Sequence, residues 1–409
     1  MTDVPAPASS SLWSTFLPLL PLTAAVFVGF LAMGMALPVL PRHVNGALGQ
    51  GTLIVGVVMG AQYLSACLLG RAWAGEVADA RGPRRAMLAG LLGACVVGAV
   101  YLASLAVEAP GRPGASLAVL VGARLVTGVA ESFIITGALS WGIARVGPAH
   151  AGKVIGWVGM ALFGAYAAGA PLGAALWQRF GFAGIAVATL VVPLLAAGIV
   201  ARIPGIAPGT QRRPPFWRVL GAIRLPGLGL TLCSVGYAVI NAFVALLFVQ
   251  RGWGGAALAF TALGGGFILA RVVAGHLPDQ LGGARVAAVC VAIEAVGQGL
   301  IWLAPGPVWA CAGAALTGAG YALAFQGFGV EAVRRAPPQS RGAAMGGYVV
   351  FQDIAMGLSA PLGGALAIQA GLGAVYLAGA VAALGSAVLA VGMLRRPHPS
   401  AGEAPAGKG

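Results

Sequence analysis

The sequence predicts an all-α membrane protein whose twelve transmembrane helices form two six-helix bundles, arranged as parallel repeats. The 409 residues are 59% hydrophobic and only 8% charged, with a mean hydropathy of +0.91, whereas about a quarter of the residues of a soluble protein are charged. Apolar stretches of the roughly 20 residues that a bilayer requires recur along the chain. The two halves also share a pattern of Gly, Asp and Arg at constant offsets.

Each predicted helix is an apolar stretch bounded by polar residues, Gly or Pro. The first is expected to stay in the membrane, because MTDVPAPASSSLW lacks the basic region of a cleavable signal peptide. The longest polar stretch, residues 202–224, is rich in Pro and Arg, which is typical of a linker. The predicted helices lie at about residues 17–41, 51–74, 86–108, 115–145, 153–178, 182–202, 225–249, 255–277, 285–304, 307–333, 342–368 and 372–394. The predicted domains are an N-terminal bundle at 1–203, a cytoplasmic linker at 204–224, a C-terminal bundle at 225–396 and a disordered cytoplasmic tail at 397–409.

The lysines and arginines are distributed unequally between the two sides of this arrangement. Nineteen, including Arg71 and Arg271, fall on the side of the linker and four on the other, while Arg124 falls inside a helix. By the positive-inside rule, the linker and both termini face the cytoplasm. The net charge of +14 is then explained by the cations that fix the orientation of the chain in the membrane. The sequence contains no basic run interleaved with aromatic residues, the pattern that would indicate nucleic-acid binding.

The two halves repeat each other in register. GEVADARGPRRA, residues 75–86, has a copy in GHLPDQLGGAR, residues 275–285. Such a parallel repeat is typical of transporters that bind substrate between their halves, near the middle of the membrane. At offset 200, Arg71, Gly75, Asp79, Gly82 and Arg85 match Arg271, Gly275, Asp279, Gly282 and Arg285. At offset 190, Arg145, Pro148, Gly152, Gly156, Ala170, Pro171, Leu172, Gly173 and Gly181 match Arg335, Pro338, Gly342, Gly346, Ala360, Pro361, Leu362, Gly363 and Gly371.

GEVADARGPRR resembles the signature of the major facilitator superfamily, Gly-x-Leu-x-Asp-x-x-Gly-x-(Arg/Lys)-(Arg/Lys), with Val77 where Leu is usual. Arg124-x-x-x-Gly128 resembles the second signature of that family, and GAYAAGAPLGA, residues 164–174, is similar to its antiporter signature with the Gly-Pro-x-x-Gly-Gly pattern interrupted. ITGALSWG, GKVIGW and GYVVFQDIAMG resemble a little-characterised bacterial subgroup, grouped with sugar- and drug-efflux carriers. The resemblance spans the chain. It implies the major facilitator fold, a bacterial cytoplasmic (inner) membrane location and a cavity lined by helices 1, 4, 7 and 10.

Four charged side chains fall in the interior of predicted helices, away from loops and helix ends, where an unpaired charge costs roughly 3 kcal/mol on insertion scales. Arg124 and Glu131 lie on one face of helix 4, which the resemblance turns toward the cavity. They are expected either to form a pair whose carboxylate takes up a proton or to be a static ion pair. Asp353 is expected to bind a proton or a cationic or hydroxylated solute, or else to bond to a neighbouring helix through Gln352. Glu294, on a helix peripheral in the family, is expected to be structural.

Four polar residues on the presumed cavity helices are further candidates. They either line the substrate site or make hydrogen bonds between helices. These residues are Tyr237, Asn241, Tyr321 and Gln326.

The repeated loops are expected to act as a cytoplasmic gate. Asp79 would bind the N-terminal end of helix 11 near Gly342, and Asp279 that of helix 5 near Gly152, because helix N-termini carry partial positive charge. Such a contact is worth about 1–2 kcal/mol, weak enough to open again. The alternative is a basic cluster that only sets topology. The candidate gating residues are Gly75, Asp79, Gly82, Arg84, Arg85, Gly275, Asp279, Gly282 and Arg285.

The expected function is secondary active transport by alternating access, with proton-coupled efflux of a small organic solute or drug by antiport as the leading interpretation. The alternatives are proton-coupled uptake of a sugar or organic acid and a membrane sensor that does not transport, for which the tail is too short to hold an output domain. The expected partners are the solute, protons and the lipid bilayer. No nucleic acid, metal, cofactor or enzymatic site is expected, and the protein is expected to be monomeric.

Overall fold

The computed structural model describes residues 17–108, 113–147, 150–206, 220–336 and 341–395, of which 341–343 as backbone only. Within these ranges the regular structure is helical throughout, which confirms the all-α class. Ten of the helices described there are long and apolar enough to cross a membrane. The predicted tail and most of the predicted linker lie outside the described residues.

The helices follow the predicted order. Two of the ten are double-length, Ala151–Arg202 and Arg341–Leu394. Each is broken once, so twelve segments result, as predicted. They are α1 Leu17–Ala47, α2 Thr52–Arg81, α3 Pro83–Ala106, α4 Gly114–Val146, α5 151–180, α6 182–202, α7 Leu220–Gln250, α8 Ala256–Ala274, α9 Gly283–Leu303, α10 Pro307–Arg335, α11 341–370 and α12 372–394, with a short helix Leu277–Leu281 after α8.

Both double-length helices break at a glycine with positive φ. Gly181 has φ 60° and Gly371 has φ 81°, a region that side chains with a β-carbon avoid. The chain reverses at these positions. Phe351 on α11 and Ser386 on α12 both contact the same turn of α7. Gly181 and Gly371 are partners in the offset-190 repeat, so the duplication extends to the backbone.

A second glycine pair behaves in the same way. Gly82 (φ 91°, ψ 150°) and Gly282 (φ 91°, ψ 140°) join α2 to α3 and the short helix after α8 to α9. The repeated motif therefore contains a turn that needs glycine in both halves.

One interface between the halves, the α2–α11 seam, is formed where α2 runs along α11. A β-carbon on Gly56 would clash with the carbonyl oxygen of Ala360. The hydroxyl of Thr52 donates a hydrogen bond of 2.8 Å to the carbonyl of Gly364. Small residues thus let the two backbones approach closely, as is usual between membrane helices.

The second interface, the α5–α8 seam, has more aromatic packing. Phe163 stacks on Phe267 with ring centroids 3.5 Å apart. The hydroxyl of Thr261 donates a 2.8 Å hydrogen bond to the carbonyl of Ala167. Each seam therefore contains a hydrogen bond from a threonine hydroxyl of one half to a backbone carbonyl of the other half.

The two seams are related by the sequence repeat. Leu64 packs against Gly357 in the α2–α11 seam. At the equivalent positions of the α5–α8 seam, Gly264 packs against Ala167. The large and small partners are exchanged between the seams, while the contact itself is kept.

The contacts between the halves lie mainly at one end of the molecule. We call the end where α6 leads into residues 203–206 the linker end, and the opposite one the far end. Beyond Arg71, toward the linker end, α2 packs on α3 and α4 of its own half. A β-carbon on Gly152 in α5 or Gly346 in α11 would have no neighbour within 4 Å. Within the described residues, the seams run from the far end to about the level of Arg71.

Two of the arginines counted on the linker side lie within membrane helices and not in loops. Arg71 and Arg271, counted among the nineteen linker-side cations, are within α2 and α8. Nineteen less these two leaves seventeen, still against four. The predicted orientation, with the linker in the cytoplasm, therefore keeps its support.

Candidate functional site

Four charged side chains gather where the halves meet. We call Arg71 on α2, Arg124 and Glu131 on α4, and Asp353 on α11 the charge cluster. Arg124 and Glu131 are only 3% and 9% exposed. Because α2 and α4 belong to one half and α11 to the other, the cluster can respond to any rearrangement of the halves.

Arg71 and Asp353 form a two-pronged ion pair across the α2–α11 seam. The guanidinium donates from Nε to Oδ2 at 2.8 Å and from Nη2 to Oδ1 at 2.9 Å. The Asp353 side chain is 4% exposed and that of Arg71 21%. Removing one partner of a buried pair typically costs about 3–5 kcal/mol. Asp353 therefore bonds to a neighbouring helix, as one of the two alternatives from the sequence had it, but through Arg71; Gln352 donates instead to the Tyr321 hydroxyl at 2.7 Å.

A local irregularity precedes Arg71. Residues Ala66–Gly70 form a π turn, and α2 resumes α-helical geometry at Arg71. A π turn inserts one extra residue and is frequent at functional sites. The equivalent residues of α8 lie in an uninterrupted α-helix. Arg71 therefore follows a π turn, whereas its repeat partner Arg271 follows regular α-helix.

Gly128 brings α4 against α2. A β-carbon there would clash with the Gln62 carbonyl and the Ser65 hydroxyl. The Ser65 hydroxyl also donates a 2.7 Å hydrogen bond to the carbonyl of Leu125. The glycine of the Arg124-x-x-x-Gly128 pattern thus allows the helix crossing that brings Arg124 and Glu131 close to Arg71.

Arg124 and Glu131 do not form the expected ion pair. Among the described residues their charged groups are not within the 4.0 Å of a salt bridge. Nε and Nη2 of Arg124 and Oε2 of Glu131 are buried and have no hydrogen-bond partner. The two side chains share a helix face, as predicted, but two turns of helix separate them.

Glu131 lies in the field of several groups from both halves. The charged groups around it are Arg71 and Arg124 of its own half and Asp353 of the other half. Three tyrosines also lie in its surroundings, Tyr63 on α2, Tyr166 on α5 and Tyr237 on α7. Both arginines of the cluster are therefore counter-charges of Glu131.

Two of the four predicted lining residues meet beside the charge cluster. Tyr237 and Tyr321 stack with ring centroids 4.9 Å apart and nearly parallel planes. The Tyr237 ring also contacts that of Phe163, 5.7 Å away on α5 of the other half. These rings extend the site from the charges toward α7 and α10.

The other two predicted lining residues make hydrogen bonds to backbone. The Asn241 amide donates to the carbonyl of Tyr237 on its own helix, at 2.9 Å. The Gln326 amide donates to the carbonyl of Gly275 at the end of α8, at 2.8 Å. The Gln326 bond is of the interhelical kind that the sequence left as the alternative, whereas the Asn241 bond stays within its own helix.

The α5–α8 seam lacks a counterpart of the ion pair. Phe163 stands at the repeat position of Asp353, and Arg271 lies 6.0 Å over the Phe267 ring. Within the described residues Arg271 has no ion pair. One seam therefore joins the halves through charge, and the other through aromatic rings.

The first of the repeated loops contacts its own half. Arg84 donates a hydrogen bond to the carbonyl of Ala201 at the end of α6. Arg85, Asp279 and Arg285 are exposed. The partner region of Asp79 near Gly342 is described as backbone only, so the predicted gate contacts stay predictions.

Glu294 is fully buried within the C-terminal half. Neither of its carboxylate oxygens has a hydrogen-bond partner. Its neighbours include Gly236 on α7 and Gly320 on α10. Such a group is tolerated when it is uncharged, which fits the structural role expected from the sequence.

Sequence reasoning missed Arg71, Tyr63 and Tyr166. The count of cations places Arg71 on the linker side, although it lies within the predicted helix 51–74. Its position inside an apolar stretch, matched by Arg271 at offset 200, was the available signal. In the described ranges no three His, Cys, Asp or Glu side chains are grouped to hold a metal ion.

Comparison with known proteins gives consistent relatives. The chain is 41% identical over 386 residues to an uncharacterized MFS-type transporter of Salmonella typhimurium, covering 94% of this chain and 98% of that one. It is 42% identical over 372 residues to one of Pseudomonas aeruginosa, covering 90% and 91%. A Burkholderia mallei relative is 40% identical over 396 residues, covering 96% of both.

Solved structures share the fold at low sequence identity. A mutant of the nucleoside transporter NupG matches with a TM-score of 0.73 and 14% identity, covering 92% of this chain and 99% of that one. The human organic anion transporter MFSD10 matches with a TM-score of 0.68 and 16% identity, covering 92% and 99%. The family profile described as Major Facilitator Superfamily matches residues 22–277 and 227–409. With its two six-helix repeats and these relatives, the chain belongs to the major facilitator superfamily of membrane transporters.

Proposed function

We propose that this transporter couples the movement of protons to that of a small organic solute, and that the charge cluster is the coupling site. The observation that carries the proposal is the partly buried Arg71–Asp353 pair, which joins the halves where alternating access would separate them. A transporter that exposes its site to each side in turn has to break such a pair once per cycle.

Arg71 lies between two acids on different halves. It is paired to Asp353 in this structure, and it is also one of the counter-charges of Glu131. When α2 and α11 part, Arg71 can turn to Glu131, which shares its half. The acid that loses the arginine is left in a low-dielectric site and is stabilised by taking up a proton. Proton binding and the state of the seam would thus be linked.

The contact pattern favours one conformational state for this structure. If the linker end is cytoplasmic, the seams close the outside and the cytoplasmic side is open. In the opposite state the predicted gate would close the cytoplasmic side. A β-carbon on Gly152 or Gly346 would meet no atom within 4 Å here, which is in line with open space at the start of α5 and α11.

The test is proton flux in liposomes that contain the purified full chain and an internal pH dye, with small solutes added outside. We expect solute-dependent flux that Asp353→Asn and Glu131→Gln each reduce at least about tenfold. Glu76→Gln, which neutralises an exposed acid on α2, is the matched control and should keep wild-type flux. Asp79→Asn is expected to slow the cycle by weakening the gate.

The sign of the flux decides the direction. Protons that move opposite to the solute mean efflux by antiport, and protons that accompany it mean uptake. If solute moves at a rate that no pH gradient alters and that Asp353→Asn leaves intact, proton coupling at this cluster is ruled out.

A further inference from the structure

The guanidinium of Arg124 is the one permanent charge of the described cluster that has no direct partner in it. The side chain is 3% exposed, and its Nε and Nη2 atoms have no hydrogen-bond partner. Arginine keeps its charge at any pH that a protein encounters. A buried cation of this kind needs an anion near it, since the bare charge is costly within the membrane.

The neighbouring charges do not supply that anion permanently. Arg71 and Asp353 cancel each other through their two hydrogen bonds. Glu131 remains, but a carboxyl group can lose its charge by binding a proton, whereas the guanidinium cannot. With Glu131 protonated, the cluster carries one unmatched positive charge.

We infer that the solute is an organic anion whose carboxylate or similar oxyanion binds Arg124 while Glu131 carries a proton. This rests on the proposed function and names the substrate class of its site. A carboxylate suits the planar donor fork of arginine, because two parallel N–H bonds can form at once. The Nε and Nη2 atoms are buried and unpartnered in this state, and they could serve as those two donors once the site opens.

The rings around the charge cluster indicate the rest of the solute. Tyr63, Tyr166 and Tyr237 all lie within electrostatic reach of Glu131. The Tyr237–Tyr321 and Phe163–Phe267 stacks continue from them across both halves. A flat apolar or aromatic body, attached to the anionic group, matches these surfaces best.

The sign of coupling follows from the two charges. An anion on Arg124 is repelled by ionised Glu131 and is not repelled by the protonated form. Proton and anion therefore favour each other's binding, and this linkage is reciprocal. It favours transport of both in one direction, that is, uptake in place of the efflux expected from the sequence.

The experiment measures binding of three probes of one shape: benzoate, benzamide and benzylamine, which are anionic, neutral and cationic. Binding to the detergent-solubilised full chain is followed by calorimetry in acidic and alkaline buffer. We expect benzoate to bind wild type preferentially, and more tightly in acid. Arg124→Gln should weaken benzoate at least about tenfold, while Arg202→Gln, which removes an exposed cation at the end of α6, should not.

Two further variants separate binding from folding. Arg124→Lys keeps the charge and loses the planar fork, so benzoate should bind with intermediate affinity. Glu131→Gln mimics the protonated acid, so benzoate should bind in alkaline buffer as tightly as wild type does in acid. A merely structural arginine would give neither the intermediate affinity nor the loss of pH dependence.

Preference for benzylamine, equal binding of all three probes, or no binding of benzoate would overturn the inference. If solute-coupled proton flux persists with cationic solutes in the liposome assay, the anion assignment fails while the proposed function stands. If benzoate binds as expected but no solute moves protons, the anion assignment stands and the proposed proton coupling fails.

Discussion

At the scale of single residues, the duplication has given the two seams different chemistry at one position. Asp353 on α11 faces Arg71, whereas its repeat partner Phe163 on α5 leaves Arg271 without an acid. The second seam thus keeps the cation of the pair and lacks only the anion. An acid introduced at position 163 could therefore form an equivalent ion pair with Arg271 in the α5–α8 seam.

The variant Asp353→Asn is expected to favour opening of the far end and to lower transport about tenfold, because it leaves Arg71 buried without its partner. Adding Phe163→Asp supplies an acid opposite Arg271 and should recover part of the closed population. Labelling of a far-end reporter cysteine measures that population. Phe163→Asn in the Asp353→Asn variant is the control, because asparagine has the size of aspartate without its charge. Recovery of the closed population with Phe163→Asn would show that the charge does not cause the recovery.

At the scale of elements, glycine positions decide where helices cross and where they break. Gly128 on α4 allows α2 to approach, and a β-carbon there would meet backbone that cannot yield easily. Gly122, six residues earlier on the same helix, has no neighbour within 4 Å of a β-carbon. The two glycines thus have the same intrinsic cost within a helix but different packing.

We expect Gly128→Ala to destabilise the protein by about 1–3 kcal/mol, as overpacking typically does. It should also reduce transport by displacing Arg124 and Glu131 from Arg71. Gly122→Ala should leave stability unchanged or raise it slightly, because alanine is the better helix former. Thermal unfolding in detergent compares the two, and equal effects would contradict the packing argument.

The elements show what the sequence could predict. Hydropathy located the twelve segments, and the offset-190 pairing of Gly181 with Gly371 marked two equivalent turns. The π turn at Ala66–Gly70 was not predictable, because ACLLG carries no residue that specifies it. Nor was the pairing of Arg71 with Asp353, since the two are 282 residues apart and only the packing of the halves brings them together.

At the scale of the whole molecule, the two seams close one end together. The α2–α11 seam joins backbone to backbone through small residues, and the α5–α8 seam adds the Phe163–Phe267 stack. If transport requires this end to open, both seams have to part. A covalent bond across either one should then be sufficient to stop the cycle.

A disulfide between Ala167→Cys and Gly264→Cys tests this, in a background without the five native cysteines. The two positions are in contact across the α5–α8 seam, and the backbones need to give by about 1 Å for normal disulfide geometry. Oxidation is expected to abolish solute flux, and reduction to restore it. Each single variant serves as control, and flux that survives complete cross-linking would mean that this seam stays closed throughout the cycle.

The one-residue turns at Gly181 and Gly371 bear on biosynthesis. Because α5 and α6, like α11 and α12, are joined by a single residue, no hydrophilic loop has to be carried through the bilayer as the chain is inserted. Each pair can enter as a helical hairpin, which also satisfies its backbone groups. In the N-terminal hairpin Arg179, two residues before the turn, must still cross, whereas residues 368–374 of the C-terminal hairpin contain no charge. The last two helices thus enter the membrane as one unit, without translocating a charged group at their tip.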